Sequence, residues 1–361
     1  MRKPIRVLFL IGDLNPGGSE SHVARLIINL DRTRVRPELM LMRAEGPFLE
    51  EVRGSGAPVH DLKSGAGMRG IFERVLRIRS TIARLRPDVV HAYGFPFDIY
   101  TALLSLPRRG KKIVTSRRGN QDLPRVRWLY RMTNPLVDCV LCVSRATEQF
   151  AAATEGLSKV RSKVIPNGID IDSFETAGTP ARPIRTLGTL GRLRVVKGQD
   201  LLLEAFSRLG RPDLLLKVGG PADTPWGVAF QKKFEGSPGV SFPGSIHDVP
   251  AFLRSLDLFV LPSRSEGMSN ALLEAMSMGL PIVATDVGSN AEVLDGGNAG
   301  MIVEPDAASI ADGIARMIDD PARAADLGRR ARKRVEEEYS LHTMVRRYEA
   351  FYEELAGARA S

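Results

Sequence analysis

Two carboxylates, Glu266 and Glu274, are separated by seven residues in the segment SRSEGMSNALLEAMSMGLP. The apolar run before it, DLFVLPS, predicts a buried strand, and a helix is predicted from about 270 to 278, ended by Gly279 and Pro281. Glu266 therefore lies on the loop and Glu274 one helical turn further on. Backbone N–H groups at such a helix start suit a phosphate, so one loop could hold a sugar, a diphosphate and a ribose in order.

A second motif, GRLRVVKG, follows another predicted strand and supplies two cations, Arg192 and Lys197. Two cations near the turn at Gly191 can neutralise a diphosphate leaving group. They stabilise charge that grows as a glycosidic bond breaks, which is where electrostatic stabilisation accelerates a reaction most. Arginine contributes a planar fork and lysine a point charge.

These motifs occur in one order with several others, which together span nearly the whole chain: GGSESH, CVSRATEQF, VIPNGID, GRLRVVKGQDLLLEAF, VGGP and EGMSNALLEAMSMGLPIVATDVGSNAEV. In this order they closely resemble the retaining glycosyltransferases of family 4 (group 1), which have the GT-B fold. The resemblance implies an α/β protein of two Rossmann-like domains with parallel sheets facing across a cleft. It also implies a C-terminal helix that crosses back to the first domain.

The resemblance carries roles to particular residues. Arg192, Lys197 and Glu266 would be catalytic, with the two cations on the donor phosphates and Glu266 at the donor sugar, while Glu274 would bind the ribose. The full predicted donor-binding set is Gly17, Gly18, Gly191, Arg192, Lys197, Glu266, Gly267, Met268, Ser269, Asn270 and Glu274. Structural alternatives stay open for some: a charge at a helix N-terminus for Glu266, core packing for Met268, and a tight turn for the glycine pair.

The acceptor side departs from the family pattern. Many relatives have a histidine in V-T-x-H-G, whereas this chain reads VTSRRG with Arg117 near that position, and the family's H-A-H is His91-Ala92-Tyr93. Front-face attack needs no protein base, because the departing phosphate can take the acceptor proton. Arg117 or Arg118 would then bind an acceptor phosphate or assist the leaving group. His91 would orient the donor sugar or have a structural role.

Alternating strands and helices along the 361 residues predict parallel sheets and two domains with their own cores. We predict an N-terminal acceptor-side domain over 1–175, a nucleotide-sugar-binding domain over 176–340, and a helix over 341–361 that packs back on the first domain. The segment SFETAGTPARP, rich in small residues and proline, is the predicted linker.

Charge is concentrated in the first domain. Up to Glu175 there are 29 basic and 18 acidic residues, a balance of +11, against −2 for the remainder of a chain whose net charge is +9. The helix predicted over 68–87 carries arginines beside an apolar stripe. It would contact anionic lipid headgroups, or be a solvated helix packed on its own core. No nucleic-acid motif is present, so nucleic acid is not an expected partner.

Other patterns argue against additional chemistry. Cys139 and Cys142 lie in a buried-strand pattern, VDCVLCVS, where side chains three apart point to opposite faces, so they are expected to be structural. Asp170 and Asp172 form D-x-D far from the donor motif, and the first is expected to hold a turn. No metal and no cofactor are expected. Strand-length apolar runs and the lack of a visible signal peptide predict a cytoplasmic protein, placed by its basic domain at the inner face of the membrane.

The combined interpretation is a metal-independent, retaining hexosyltransferase. It would move a sugar from a UDP- or GDP-sugar donor to a cell-surface polysaccharide, a lipopolysaccharide or a lipid-linked oligosaccharide. Two alternatives remain: a non-catalytic sugar-nucleotide-binding scaffold, suggested by the altered acceptor motif, and a sugar-nucleotide epimerase on the same fold. The donor sugar, nucleotide base, linkage and oligomeric state are not determined by the sequence.

Overall fold

A computed structural model describes residues 3–15, 17–63, 67–104, 110–119, 124–157, 160–174 and 183–357. The chain divides into two compact units. The first comprises Met1–Gly168 with Leu341–Ser361, and the second comprises Ile169–Ser340. Most of the predicted linker lies outside the described residues, at 175–182.

The first unit is built on a seven-stranded sheet in the order β3-β2-β1-β4-β5-β6-β7, with every pair of neighbours parallel. Its strands are β1 Ile5–Ile11, β2 Val35–Leu41, β3 Val59–Asp61, β4 Val89–Tyr93, β5 Lys112–Arg117, β6 Cys139–Cys142 and β7 Ser162–Val164. Its helices are α1 Gly18–Asn29, α2 Phe48–Gly54, α3 Gly67–Leu85, α4 Phe97–Leu104, α5 Pro124–Thr133, α6 Arg145–Glu155 and, from the end of the chain, α14 Leu341–Gly357.

Apolar residues cover both faces of this sheet and form two cores. One face packs against α14, whose buried residues include Tyr348, Phe351 and Tyr352, which confirms the predicted return of the last helix to the first unit. Cys139 belongs to that core and Cys142 to the core on the opposite face, and both are free and buried. Burial raises the pKa of each thiol to about 12, so both are protonated packing residues, as expected.

The second unit has a six-stranded parallel sheet in the order β10-β9-β8-β11-β12-β13. Its strands are β8 Thr186–Leu190, β9 Leu215–Gly219, β10 Val240–Gly244, β11 Leu258–Leu261, β12 Ile282–Thr285 and β13 Met301–Val303. Its helices are α7 Gln199–Leu209, α8 Pro225–Phe234, α9 Val249–Arg254, α10 Asn270–Ser277, α11 Asn290–Val293, α12 Ala307–Asp319 and α13 Pro321–Glu338. Each unit is thus an α/β unit with a parallel sheet, which confirms the predicted fold class.

The basic helix of the first unit is α3. Ile78 and Ile82 are buried in the same core as Cys142, on the sheet face opposite α14, while Arg77 and Arg84 are exposed. The structure thus uses the described apolar stripe of α3 for its own core, which agrees with the structural alternative for this helix. Side chains 67–72 lie outside the description. Across the described residues, no helix combines the length and apolar character needed to span a membrane.

Candidate functional site

The turn after β8 is shaped by glycines. The chain leaves the strand at Gly191, runs through a 3₁₀ turn at Val195–Lys197, and reaches Gly198 with a positive φ of 66° before α7 begins. A Cβ atom at Gly198 would lie 1.9 Å from the Pro262 carbonyl oxygen. Only glycine permits this close approach, which brings the turn of Lys197 against the loop that follows β11.

Lys197 and Glu266, 69 residues apart in sequence, meet in the second unit. The Lys197 Nζ donates to Glu266 Oε1 at 2.6 Å, and the Ser263 hydroxyl donates to the same oxygen at 2.7 Å. The Glu266 side chain is 7% exposed and the Lys197 side chain 31% exposed. A Cβ at Gly191 would lie 3.9 Å from the Lys197 Cδ, so the lysine stem passes close to Gly191. Three predicted donor-site residues therefore lie together.

The loop that carries Glu266 is held from several sides. Thr285, at the end of β12, donates through its hydroxyl to the Ser263 carbonyl at 2.6 Å. Gly288 has a φ of 58°, and a Cβ there would lie 1.9 Å from the Glu266 carbonyl oxygen. Met268 is 7% exposed and Ser269 4% exposed. These contacts fix the backbone of a buried loop that begins at a strand end and leads into a helix.

Ser269 is the N-cap of α10, because the N–H of Leu272 donates to its hydroxyl. Asn270 is the first residue of α10, and Glu274 follows it by one helical turn, half-buried. The predicted order of loop, cap and helix is thus present. The structure places Glu274 at the predicted position on the helix, and its role at the ribose remains a prediction.

Arg192 is oriented by a carboxylate that the sequence analysis missed. Its Nη1 donates to Asp223 Oδ2 at 2.5 Å, and its backbone carbonyl accepts from the Gln199 side chain at 3.0 Å. The Arg192 side chain is 40% exposed, so it can exchange this partner for a ligand at modest cost. Asp223 follows the VGGP motif, whose glycines were noted but whose acidic neighbour was not.

Arg264 is a second residue that the sequence analysis did not single out. It forms a bidentate pair with Asp200, both distances 2.7 Å, and donates to the Val195 carbonyl at 2.8 Å. The backbone N–H of Arg264 donates to the Val196 carbonyl. Arg264 therefore clamps the 3₁₀ turn that ends in Lys197. Its position two residues before Glu266 in SRSEGM is the sequence feature that could have marked Arg264 as part of this site.

The glycine pair of the first unit stands at the start of α1. Gly17 is its N-cap in an extended conformation, and Gly18 is the first helical residue. A Cβ at Gly17 would lie 2.1 Å from the Glu20 carboxylate, so a side chain at this position would have to displace the end of the Glu20 side chain. This agrees with a tight turn before a helix, and a donor contact at Gly17 and Gly18 remains a prediction.

His91 is not a surface ligand in this structure. It is fully buried, and its ring nitrogens pair with the Tyr352 hydroxyl and the Ser116 hydroxyl, each at 2.8 Å. Burial, followed by the charge of Arg118, holds the pKa of His91 well below its usual value. The neutral ring joins β4, β5 and α14, so the structural alternative describes it and the proposed contact with the donor sugar is corrected.

Arg117 is likewise internal. Its guanidinium contacts Glu155 at 2.6 Å, Asp98 at 3.0 Å and Asn134 at 3.1 Å, and lies 4.0 Å from the centre of the Tyr130 ring. The prediction that Arg117 binds an acceptor phosphate is therefore wrong for this structure, because two carboxylates, an amide and a ring surround a side chain that solvent barely reaches. The next residue, Arg118, is partly exposed and donates to Asn167, and its acceptor role stays a prediction.

The D-x-D pair behaves as a turn. Asp170 accepts from the Ser173 hydroxyl at 2.8 Å around the short 3₁₀ turn Ile171–Ser173. Among the residues that the structure describes, no group of three or more His, Cys, Asp or Glu side chains is arranged to hold a metal ion.

Comparison with known families agrees with the two-unit division. Residues 16–173 match the family described as Glycosyltransferase Family 4, and residues 184–320 match Glycosyl transferases group 1. Among curated relatives, the chain is 32% identical over 240 residues to the lipopolysaccharide core biosynthesis mannosyltransferase LpsB of Rhizobium meliloti (strain 1021), covering 61% of this chain and 66% of that protein. It is 29% identical over 271 residues to the lipopolysaccharide core biosynthesis mannosyltransferase LpcC of Rhizobium leguminosarum bv. viciae, covering 70% and 73%.

Solved structures show the same fold at lower identity. Anabaena Alr3699/HepE in complex with UDP aligns over 97% of this chain and 100% of that chain, with a TM-score of 0.84 and 20% identity. A glycosyltransferase from Rickettsia africae ESF-5 aligns over 98% and 99%, also with a TM-score of 0.84, at 19% identity. At these identities the likeness concerns the fold alone, which is GT-B.

Proposed function

Since the chain belongs to the family 4, group 1 glycosyltransferases, we propose that it transfers a sugar from a nucleoside diphosphate-sugar, a UDP- or GDP-sugar, to a glycan acceptor. The observation that carries the proposal is the meeting of Lys197, Glu266 and Gly191 in one partly open site of the second unit. Mannose is the first donor sugar to test, because both lipopolysaccharide-core relatives are named mannosyltransferases.

In the proposed reaction Arg192 and Lys197 bind the diphosphate. Lys197 exchanges part of its contact with Glu266 for a phosphate oxygen, and Arg192 does the same with Asp223. Both cations are already oriented, so the negative charge that develops on the leaving diphosphate meets fixed positive charge with little reorganisation. Glu274, one turn into α10, accepts hydrogen bonds from the ribose diol, and the buried Glu266 and the loop 267–270 contact the sugar and phosphate.

We further propose retention of the anomeric configuration without a metal ion. Two cations at the diphosphate do the electrostatic work that a divalent ion does elsewhere. The departing phosphate takes the acceptor proton on the same face, so no protein base is needed, which suits a first unit whose His91 and Arg117 are both committed to internal contacts.

The proposed acceptor is a lipopolysaccharide, another cell-surface polysaccharide or a lipid-linked oligosaccharide. Peripheral contact with an anionic membrane through the first unit is part of this proposal. It is supported by helix α5, where Trp128 is 56% exposed and Met132, one turn later, is 64% exposed, beside the exposed Arg131. An indole, a thioether and a cation on one helix suit a lipid interface.

The test is sugar transfer by purified protein with a panel of UDP- and GDP-sugars and lipopolysaccharide core acceptors. We expect turnover with one donor, an unchanged rate in EDTA, and an NMR coupling constant that shows the donor's anomeric configuration in the product. Glu274→Ala and Lys197→Ala should each lower kcat/KM by roughly ten- to a thousandfold. Wild-type turnover in both variants would contradict the donor-site assignment, and donor binding without transfer to any acceptor would favour the scaffold.

A further inference from the structure

A basic cavity lies in the first unit, apart from every residue assigned above. It has a volume of about 540 Å³, and its lining includes Lys3, Arg6, Arg32, Arg36, Glu38 and residues 55–58. We call it the basic pocket. Four of these side chains are cationic, and Glu38 is the one carboxylate in the described lining.

The basic pocket lies at the amino-terminal edge of the sheet. Lys3 precedes β1, Arg6 and Arg36 are the second residues of β1 and β2, and residues 55–58 lead into β3. Neighbouring strands here are parallel, so these strand starts share one edge. Ligands of open parallel sheets bind at the opposite, carboxyl edge, where the Gly17 loop follows β1. The basic pocket is therefore a different place from the expected acceptor side of this unit.

Charges inside the basic pocket are unevenly satisfied. Glu38 is shared between Arg6 at 3.4 Å and His60 at 3.0 Å. Arg32 uses Nη2 to donate to the Ser55 hydroxyl at 3.1 Å, whereas its Nη1 is buried without a hydrogen-bond partner among the described residues. A buried N–H group of a cation that lacks an acceptor carries a desolvation penalty.

Burial lowers the pKa of Arg32, which is the direction expected for a cation that has lost water without gaining a full counter-charge. An anion in the cavity would relieve this desolvation, because it would supply compensating negative charge beside the Arg32 guanidinium. A cavity of this volume falls in the range of small-molecule sites, which is larger than one phosphate group requires.

We propose that the basic pocket binds a phosphate-bearing ligand, with Arg32 and Arg36 as its principal contacts and Lys3 contributing charge. Several converging cations favour the multiple oxygens of a phosphate over a single carboxylate. The ligand's source is either a soluble phosphate ester or a phosphorylated lipid headgroup, and the experiment separates the two.

The soluble arm is calorimetric titration with pyrophosphate at low ionic strength. It is carried out in full-length Arg192→Gln/Lys197→Gln protein, so that the proposed donor phosphate site does not contribute. We expect saturable binding that weakens at least about tenfold, the loss of one charge-assisted hydrogen bond, when Arg32→Gln/Arg36→Gln is added. The matched control adds Arg208→Gln/Arg329→Gln, which removes two exposed arginines of the second unit and the same charge. The control should bind like its parent.

The lipid arm is flotation with phosphatidylcholine vesicles that contain or lack phosphatidic acid. Flotation lost in Arg32→Gln/Arg36→Gln but kept in the control identifies a lipid headgroup as the ligand. Pyrophosphate binding that is weaker in the pocket variant than in the control, with equal flotation of the two, identifies a soluble phosphate ester. Equal pyrophosphate binding and equal flotation in the pocket variant and the control would overturn the proposal. Melting temperatures of all variants verify that each is folded.

Discussion

Lys197 and Glu266 form an ion pair in which one partner is buried and the other is partly exposed. We therefore predict that substitution of Lys197 destabilises the protein more than substitution of Glu266, whereas both substitutions lower activity. The Glu266 side chain is 7% exposed, and Lys197 supplies a charge-assisted hydrogen bond of 2.6 Å to it. Lys197→Met leaves a buried carboxylate with one cation fewer. In Glu266→Gln, by contrast, the released ammonium, already 31% exposed, can turn to water.

The magnitude follows from burial. Breaking a fully buried pair costs about 3–5 kcal/mol, and a surface pair is worth about 0–1 kcal/mol. With one partner buried and the other a third exposed, we expect Lys197→Met to lower the free energy of unfolding by about 2 kcal/mol. That corresponds to a melting temperature lower by about 4–8 °C for a unit of this size. Glu266→Gln should cost less than about 1 kcal/mol, because the amide can still accept from Ser263.

The assay is thermal and urea unfolding of the two single variants and the double variant Lys197→Met/Glu266→Gln, beside kcat/KM for sugar transfer. The double variant should recover most of the stability lost in Lys197→Met, because no buried charge remains, yet it should stay as inactive as the worse single variant. Additive losses of stability in the double variant would refute the coupling, and activity near the wild-type value in any of the three would refute the catalytic role.

Three further predictions concern the Glu266 loop, the turn that carries Lys197, and two buried histidines of the first unit. Gly288→Ala should lower kcat/KM by more than about tenfold, because its Cβ would lie 1.9 Å from the Glu266 carbonyl oxygen. The control Gly296→Ala has a similar φ of 62° but open space around its Cβ, so it should lower stability without lowering activity. Equal activity in the two variants would contradict the role of the contact. Arg264→Gln should raise KM for the donor by freeing the turn that carries Lys197, while Arg208→Gln, which breaks an exposed pair on α7, should leave it unchanged. Burial holds the pKa values of His22 and His91 well below 6.5, so below pH 6.5 the unfolded chain takes up protons that the folded chain excludes. The free energy of unfolding should therefore fall with decreasing pH, by up to about 2.7 kcal/mol per pH unit for both histidines together. Urea unfolding between pH 5 and 6.5 measures this slope, and His22→Gln/His91→Gln should remove it.

The fold could be predicted from the sequence because its strands are short apolar runs bounded by glycine, proline and polar residues. Runs such as DLFVLPS and PIVATD became the buried strands β11 and β12, and the helix between them begins at Asn270 as expected. Helix α8, Pro225–Phe234, was missed. Its aromatic residues Trp226, Phe230 and Phe234 recur every fourth position, and Trp226 stacks on Phe230 at 4.9 Å, so a helical spacing was present in the sequence but was not used.

The donor-side motifs could be placed because each occupies a few consecutive residues at the end of a strand. Long-range partners could not. Asp223 and Arg264 act on Arg192 and on the Lys197 turn across 31 and 69 residues, and only the folded sheet brings them together. The same limit explains the error at Arg117, where position in a motif suggested a ligand contact. Asp98 and Glu155, from α4 and α6, enclose its charge instead.

The assignment of the donor site to Lys197 and Glu266 is tested by the change in melting temperature of wild-type and Lys197→Met protein with UDP, GDP, ADP and their sugar conjugates. Ligand that binds only the folded state raises its stability. We predict a rise with one nucleotide base and its sugar conjugate in the wild type, and no rise in Lys197→Met. An equal rise in both proteins would place the nucleotide elsewhere and contradict the assignment of the Lys197–Glu266 site.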